Sequence, residues 1–338
     1  MSPHIECPYC DGRAHLEREA KELTYRKESY RVFAHYYKCE RCLETFTSTE
    51  SDTISLTQLH NQYREKHNIP FPEEIIALRE KYDLSASKMS LVLGLGANGY
   101  GNYEHGEIPT PAYGNLMSAA ADPGIFLQFL EKAREHFSDH AYQRACERVK
   151  GLIETGDEEK ILCATFNVHC EPGRYTGYRK VVVARIASLV NHYLQHTNKE
   201  FNDKLKLNKL LFYTDFLHYK RQGMSITGLN YRAIQYGPVP AKYDNLYAYL
   251  QNEQLISSQF QHSNIGGARE VFCSEAVVED HLFSDEEKET IQAVTARFAN
   301  VSSWDMVAIS HEEKAWRTQE GNRSLIEYQE NAFELKAL

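Results

Sequence analysis

Residues 71–108, FPEEIIALREKYDLSASKMSLVLGLGANGYGNYEHGEI, read as three short helices separated by turn signals. Pro72 suits a first helical position, and Glu73 and Glu74 follow where carboxylates favour a helix N-terminus. Ile75, Ile76, Leu78 and Tyr82 then recur at helical spacing. Ser85 or Ser87 can cap a second helix with apolar positions Met89, Leu91, Val92 and Leu93. The Gly94-Leu95-Gly96 break precedes a third helix over residues 97–104, which Gly106 and Pro109 stop. Two short helices, a tight turn and a short polar helix form the helix-turn-helix pattern, whose last helix lies in a DNA major groove. Asn98, Asn102 and His105 fall at spacings of four and three and so share one face. An outward amide face suits base readout, because Asn pairs bidentately with adenine. The candidate DNA-binding residues are Asn98, Asn102, Tyr100 and Lys88, with Tyr100 and Tyr103 also placed to supply packing. The competing reading is a small helical bundle that binds nothing.

The 338-residue chain is long enough for two or three domains. Apolar content of 42% and charged content of 25% are ordinary for a globular protein. No apolar run is long enough for a membrane span. The start MSPHIECPYC has no basic region followed by an apolar core, so no secretory signal is expected and the default compartment is the cytoplasm. With a net charge of −9, nucleic-acid binding would have to use local patches. Residues 174–221 hold ten Lys or Arg against three acids, and residues 270–338 hold fifteen acids against six bases. Such asymmetry fits interaction surfaces, although solvated helix faces produce it as well.

Cys7-Pro8-Tyr9-Cys10 and Cys39-Glu40-Arg41-Cys42 are two C-x2-C pairs. Each turn aims two sulfurs at one point, and two such turns complete a closed four-thiolate site, the geometry of structural zinc. One zinc per chain is expected, with no open position for catalysis. The spacer of twenty-eight residues suits a hairpin, for which Tyr25, Tyr30, Val32, Phe33, Tyr36 and Tyr37 supply strand-forming residues. A redox pair would want a βαβ context, and a disulfide framework an extracellular chain. Cys146, Cys163, Cys170 and Cys273 lack ligand spacing and read as small buried hydrophobes. Residues 46–68 read as a polar joint with a short helix, whose Arg64, Lys66 and His67 could touch phosphate.

CPYC, CERC and the following ANGYGNYEHG together resemble the MqsA-type antitoxins over roughly residues 1–120. That resemblance implies an N-terminal zinc domain, then a DNA-binding domain. The family reads bases with an Asn and an Arg of its recognition helix. Asn98 falls on the Asn, whereas Asn102 replaces the Arg, and Arg reads guanine where Asn prefers adenine.

Helices are expected over residues 111–121 and 124–136, and from Ser138 to Ile153 with Gly156 ending the last. Residues 181–197 form an amphipathic helix, and residues 204–219 a strongly apolar one at the centre of its domain. Residues 231–236 alternate as a strand that Gly237-Pro238 turns. Residues 243–251 read as helix, residues 255–261 and 270–273 as weaker strands, and Ser284 caps an acid-rich helix start. The motifs LNKLLFYTDFLHYK, SITGLNYRAIQYGPVP and SHEEKAW resemble the Panacea (SocA-like) antitoxin domain over about residues 176–338. That resemblance implies neutralisation of a protein toxin, with no established catalysis. Its motif positions are Lys206, Lys209, Tyr213, His218, Tyr236, Gly237, Pro238, His311 and Trp316, each of which also suits a core or turn role.

The expected fold is mainly α and multidomain: a β-rich zinc module over 1–68, a five-helix helix-turn-helix domain over 69–136, a helical connector over 137–175, and a mostly helical Panacea domain with a small sheet over 176–338. The expected function is a type II antitoxin that binds a cognate toxin and, as a homodimer, represses its own operon on double-stranded operator DNA. A transcription regulator with a sensing C-terminal domain is the alternative. No HExxH, GxSxG or phosphate-loop motif points to an enzyme.

Overall fold

Side-chain caps start most of the longer helices. Ser85 Oγ accepts from Lys88 N–H, Thr110 from Tyr113, Asp122 from Ile125, Asp203 from Lys206 and Ser302 from Asp305. Ser284 and Glu287 form a reciprocal capping box. The structure, a computed structural model, describes residues 1–155, 158–262, 268–274 and 276–338. The chain is mainly α and multidomain, as the patterning predicts. A four-stranded sheet lies at the N-terminus, and two two-stranded hairpins lie in the C-terminal half.

The chain divides into two compact units built from interleaved segments. One comprises Met1–Lys21, Val32–Gln58 and Lys160–Leu338, and the other Glu22–Arg31 and Leu59–Glu159.

The sheet has the order β1 (His4–Glu6), β2 (Arg13–Tyr25), β3 (Glu28–Cys39), β4 (Thr45–Phe46). Only Arg26 and Lys27 separate β2 from β3, at φ 48° and 70°, the left-handed pair of a type I′ turn. The strand-forming residues of the spacer thus make the expected hairpin.

Residues 46–68 differ from the short helix in a polar joint that their composition suggests. They hold a 19-residue helix, α1 (Thr49–His67). Beside Ile54, Leu59 and Tyr63 it buries many polar side chains: Ser51, Ser55, Gln58, Asn61 and Arg64 are each at most 8% exposed. Gln58 accepts from Phe33 N–H at 2.9 Å and donates to Phe33 O at 3.0 Å, and Ser55 Oγ accepts from His35 N–H. These side chains satisfy the β3 backbone as a neighbouring strand would, which is why polar residues can be buried there.

In the smaller unit, α2 (Pro72–Lys81), α3 (Ala86–Val92) and α4 (Gly99–Glu104) follow one another, then α5 (Pro111–Ala120), α6 (Pro123–Lys132) and α7 (Asp139–Thr155). Glu74 accepts from Phe71 N–H, fixing the start of α2. Gly156, expected to end α7, lies outside the described residues. The core gathers Ile75, Tyr82, Met89, Tyr100, Met117, Phe126 and Val149. Tyr82 and Phe126 stack at 3.6 Å between ring centroids.

In the larger unit, α8 (Glu158–Phe166) and α9 (Val183–His196) precede α10 (Lys204–Gln222), the expected central helix, buried continuously from Lys206 to Tyr219. Around it lie the hairpin β5 (Tyr231–Ile234)–β6 (Gly237–Pro240), α11 (Tyr243–Asn252), and the hairpin β7 (Ser257–His262)–β8 (Ala268–Cys273). The helices α12 (Asp285–Phe298), α13 (Ser303–His311), α14 (Lys314–Arg317) and α15 (Tyr328–Ala332) complete it. Among the described residues no helix is long and apolar enough to cross a membrane.

Candidate metal centre and interaction residues

Two near-identical knuckles shape the cysteine cluster. Asp11 N–H donates to Cys7 O and Leu43 N–H to Cys39 O, both at 3.1 Å. Asp11 and Leu43, each one residue past a pair, both take left-handed backbone, at φ 55° and 64°. Tyr9 N–H points at Cys7 Sγ at 3.4 Å and Arg41 N–H at Cys39 Sγ at 3.3 Å. Gly12 closes the turn, and a Cβ there would lie 2.9 Å from Arg41 Cβ and 3.1 Å from Cys39 Sγ, so no side chain fits.

The four ligand atoms of Cys7, Cys10, Cys39 and Cys42 all lie within 4.8 Å of one another. The Cys7–Cys42 and Cys10–Cys39 sulfur separations are 3.7 and 3.5 Å. A metal–sulfur length of about 2.3 Å puts tetrahedral sulfur–sulfur edges at about 3.8 Å. The residues therefore fit one tetrahedral ion. Cys42 N–H, opposed by burial and helped by Arg41 N–H, holds the Cys39 thiol down to about 6. Glu44 N–H favours the Cys42 thiolate, but burial and the three neighbouring sulfurs outweigh it and push that thiol up to about 12. Four thiolates so close together need a cation among them.

None of the other four cysteines is fully buried, although their lack of ligand spacing suggests it. Cys146, Cys163 and Cys170 are half-buried, and Cys273 is exposed beside Ser257 Oγ at 3.1 Å. Cys273 ends a strand of a two-stranded ribbon, which leaves one face uncovered.

The candidate DNA-binding residues separate into two groups. Asn98 and Asn102 are exposed, as is His105, and Asn98 occupies the N-cap of α4, which starts two residues later than expected. Tyr100 is 0% exposed, with its hydroxyl donating to Ile75 O at 2.6 Å, so it is a core residue and not a surface contact. Lys88 is half-buried, bonded to His136 O and lying over the Phe137 ring. Arg64, Lys66 and His67 are likewise committed within the protein. Arg64 is 3% exposed and donates to the carbonyls of Pro70, Gly106 and Glu107. Lys66 and His67 pair with Glu28. No motif marks Arg26, whose guanidinium donates to Ile108 O at 2.8 Å and Pro109 O at 2.9 Å. It braces the loop after α4 from the hairpin turn, and only the tight two-residue turn could have signalled it.

The C-terminal motif residues assemble around α10. Lys206 Nζ donates to Ala299 O at 2.8 Å and Lys209 Nζ to Pro238 O at 3.1 Å, both from 0% exposed side chains. Burial lowers Lys209 to about 7. Tyr213 donates to Glu313, which also accepts from Lys336 N–H and Ala337 N–H. His218 Nδ1 lies 3.2 Å from Thr290 Oγ1. Gly237 has φ 98°, and a Cβ there would run into Ser310 Oγ and come within 2.6 Å of Lys209 Cε. His311 stacks on Trp316 at 3.7 Å, and Trp316 Nε1 donates to Ile234 O. Tyr236, in contrast, is 41% exposed and meets Trp304, 65% exposed, edge to face.

No motif marks Asp215, a heavily bonded side chain of this core. It accepts from Ile226 and Thr227 N–H, both at 2.8 Å, from the Thr227 hydroxyl, and from Tyr231 OH at 2.7 Å. An acid midway along an apolar helix carries no partner information in a linear pattern.

Residues 5–117 match the family model of MqsA, the antitoxin component of a bacterial toxin-antitoxin system, and residues 207–317 match that of the antitoxin SocA-like Panacea domain. No curated protein matches the chain. The first match contains all four clustered cysteines and α2–α4, and the second contains most of α10 and the β5–β6 hairpin. The chain thus carries, in order, a segment similar to the MqsA-type antitoxins and a segment similar to the SocA-like Panacea domain.

Proposed function

We propose that this chain is the antitoxin of a type II toxin-antitoxin system: it binds and neutralises a cognate protein toxin and represses its own operon. The observation that carries this reading is the union of two antitoxin segments in one chain. Neutralisation is steric, by occupation or distortion of the toxin, and asks no catalysis of this chain. The cluster of four cysteines holds one structural zinc. Its bond lengths suit the sulfur spacing, and four thiolates close the coordination sphere to water. The working compartment is the cytoplasm.

For repression, α3 and α4 act as a helix-turn-helix, supported by the exposed Asn98 and Asn102 on α4. The protein acts as a homodimer through this domain, placing two α4 helices in major grooves about 34 Å apart or a multiple of it. The test is co-expression with the product of the adjacent gene, reading growth rescue and copurification. A neighbouring product that is not toxic, or is toxic but neither rescued nor copurified, sinks the reading.

One observation favours a second reading, a regulator with a sensing domain and no toxin. A cavity of about 620 Å³ in the larger unit is lined by Leu16, Leu217 and Phe333 together with Arg18, Lys220 and Arg221, with Glu17 opposing them. An apolar pocket with a basic rim suits a small apolar acid. Lack of any toxin-like neighbour gene, with promoter binding that responds to such an acid, would favour it.

A further inference from the structure

The helix α7 lies beyond the segment that matches the MqsA-type model. His140, Arg144 and Arg148 fall on it at spacings of four, so they form one ridge along one face. That ridge meets the start of α3 across a cavity of about 210 Å³, to which Ser85, Lys88 and Asp83 also contribute. Arg144 and Arg148 are exposed. Ser85 Oγ accepts from Lys88 N–H, which leaves its hydroxyl hydrogen available as a donor. The cleft thus offers three fixed positive charges against the single carboxylate of Asp83, which pairs with Arg144. Both members of that pair are more than half exposed, at 69% and 59%. Such a pair is weak and easily exchanged for a stronger anion. The cleft walls include Tyr82, Phe137 and Ala145, which are apolar and concentrate the field of the cations above them.

We propose that this cleft is a phosphate clamp for the DNA duplex backbone, in which Arg144 and Arg148 of α7, with Ser85 of α3, hold the strand and the Lys88 charge adds to their field, while α4 reads the bases. The proposal rests on the helix-turn-helix reading above. In that motif the helix before the recognition helix crosses the DNA backbone. The cationic cleft lies at the start of that helix, α3. Guanidinium forks match phosphate oxygens in geometry and charge. The clamp also resolves a deficit: residues 71–110 contain three Lys or Arg against six acids, too few to hold a polyanion. The missing charge comes from α7.

The experiment measures binding of the full-length chain to its native promoter and to a scrambled duplex across a series of salt concentrations. The proteins are wild type, the double variant Arg144→Gln/Arg148→Gln, Asp83→Asn and Asn98→Ala. The double variant should weaken both duplexes by the same factor, about tenfold, and flatten the dependence of log affinity on log salt by about 1.8. Asp83→Asn should tighten both duplexes a few-fold, a gain that simple loss of structure would not produce. Asp83 has φ 52°, a conformation that Asn adopts readily, so the fold should tolerate the change. Asn98→Ala should weaken only the promoter. A double variant with wild-type affinity and salt slope overturns the clamp, even where Asn98→Ala behaves as expected and the helix-turn-helix reading stands. A wild-type protein that binds neither duplex overturns both.

Discussion

His218 is 4% exposed and sits against Thr290, with Arg179, Arg185 and Arg221 nearby and Glu287 opposing them. Burial first, and then the Arg179 charge, lowers its pKa from 6.5 to about 3. The folded protein therefore holds it neutral, while an unfolded chain would protonate it below 6.5. Because the folded pKa is depressed, the stability tied to this group is present above 6.5 and is lost as pH falls towards 3, by about 1.4 kcal/mol per pH unit. Burial likewise lowers His35 and His192 to about 4, so they add to the acid sensitivity. Asp215 and Glu313, raised by burial, oppose it. Denaturant unfolding at pH 6.5, 6 and 5 should show a shallower pH slope for His218→Gln than for wild type, by about 1.4 kcal/mol per unit. Equal slopes would mean that the imidazole is not held neutral. At this scale the sequence shows the cysteine ligands clearly, because two residues between thiols is a local geometric rule. It does not show that Lys206 and Lys209 are buried. Their acceptors, the carbonyls of Ala299 and Pro238, are distant in the chain and have no signature.

Helices with polar caps and apolar stripes, such as α3 and α12, were legible because cap and stripe are both local. The full length of α1 was not, since beside Ile54, Leu59 and Tyr63 it buries serines, glutamine, asparagine and arginine, which serve the backbone of β3 and the loops around α4. Hydrophobic periodicity counts such residues as solvent-facing. The cysteine knuckles join the ends of β1 and β3, where the cluster packs only Cys7, Ala14, Tyr37 and Cys39 as its fully buried members. So small a core does not hold two strand ends by itself, and zinc in such sites contributes roughly 10–16 kcal/mol of apparent binding. Purified protein should contain one zinc per chain, and Cys39→Ser should release it. Hydrogen exchange should then rise sharply at residues 4–13 and 37–46 while the amides of α10 stay protected. A wild-type protein without zinc, or a Cys39→Ser variant with unchanged exchange at the knuckles, contradicts the structural role.

How the chain groups its segments was not readable from any window of sequence. Residues 1–21 and 32–58 belong to the same compact unit as residues 160–338. Phe33 and His35 meet the Phe333 ring, and Arg18 pairs with Glu334. These contacts join positions some three hundred residues apart, which local patterns cannot encode. They also decide how toxin neutralisation should be mapped. A truncation after residue 136 would strip the N-terminal module of its packing partner, so loss of rescue would not locate the interface. Point substitutions at exposed residues avoid this. The Panacea segment offers Tyr236 and Trp304, an exposed aromatic pair of the kind that anchors interfaces. The MqsA-type segment offers Tyr9 and Leu43, 65% and 68% exposed at the two knuckles. The exposed ring pair favours the Panacea side as the one that meets the toxin. Tyr236→Ala/Trp304→Ala should therefore weaken toxin binding by at least about 2 kcal/mol, roughly thirtyfold, and abolish growth rescue at matched expression. Tyr9→Ala/Leu43→Ala should leave rescue intact. Both variants keep their cores, so thermal unfolding should lie close to wild type. If the knuckle variant loses rescue and the aromatic variant keeps it, the toxin sits on the zinc module, and the Panacea segment needs another partner.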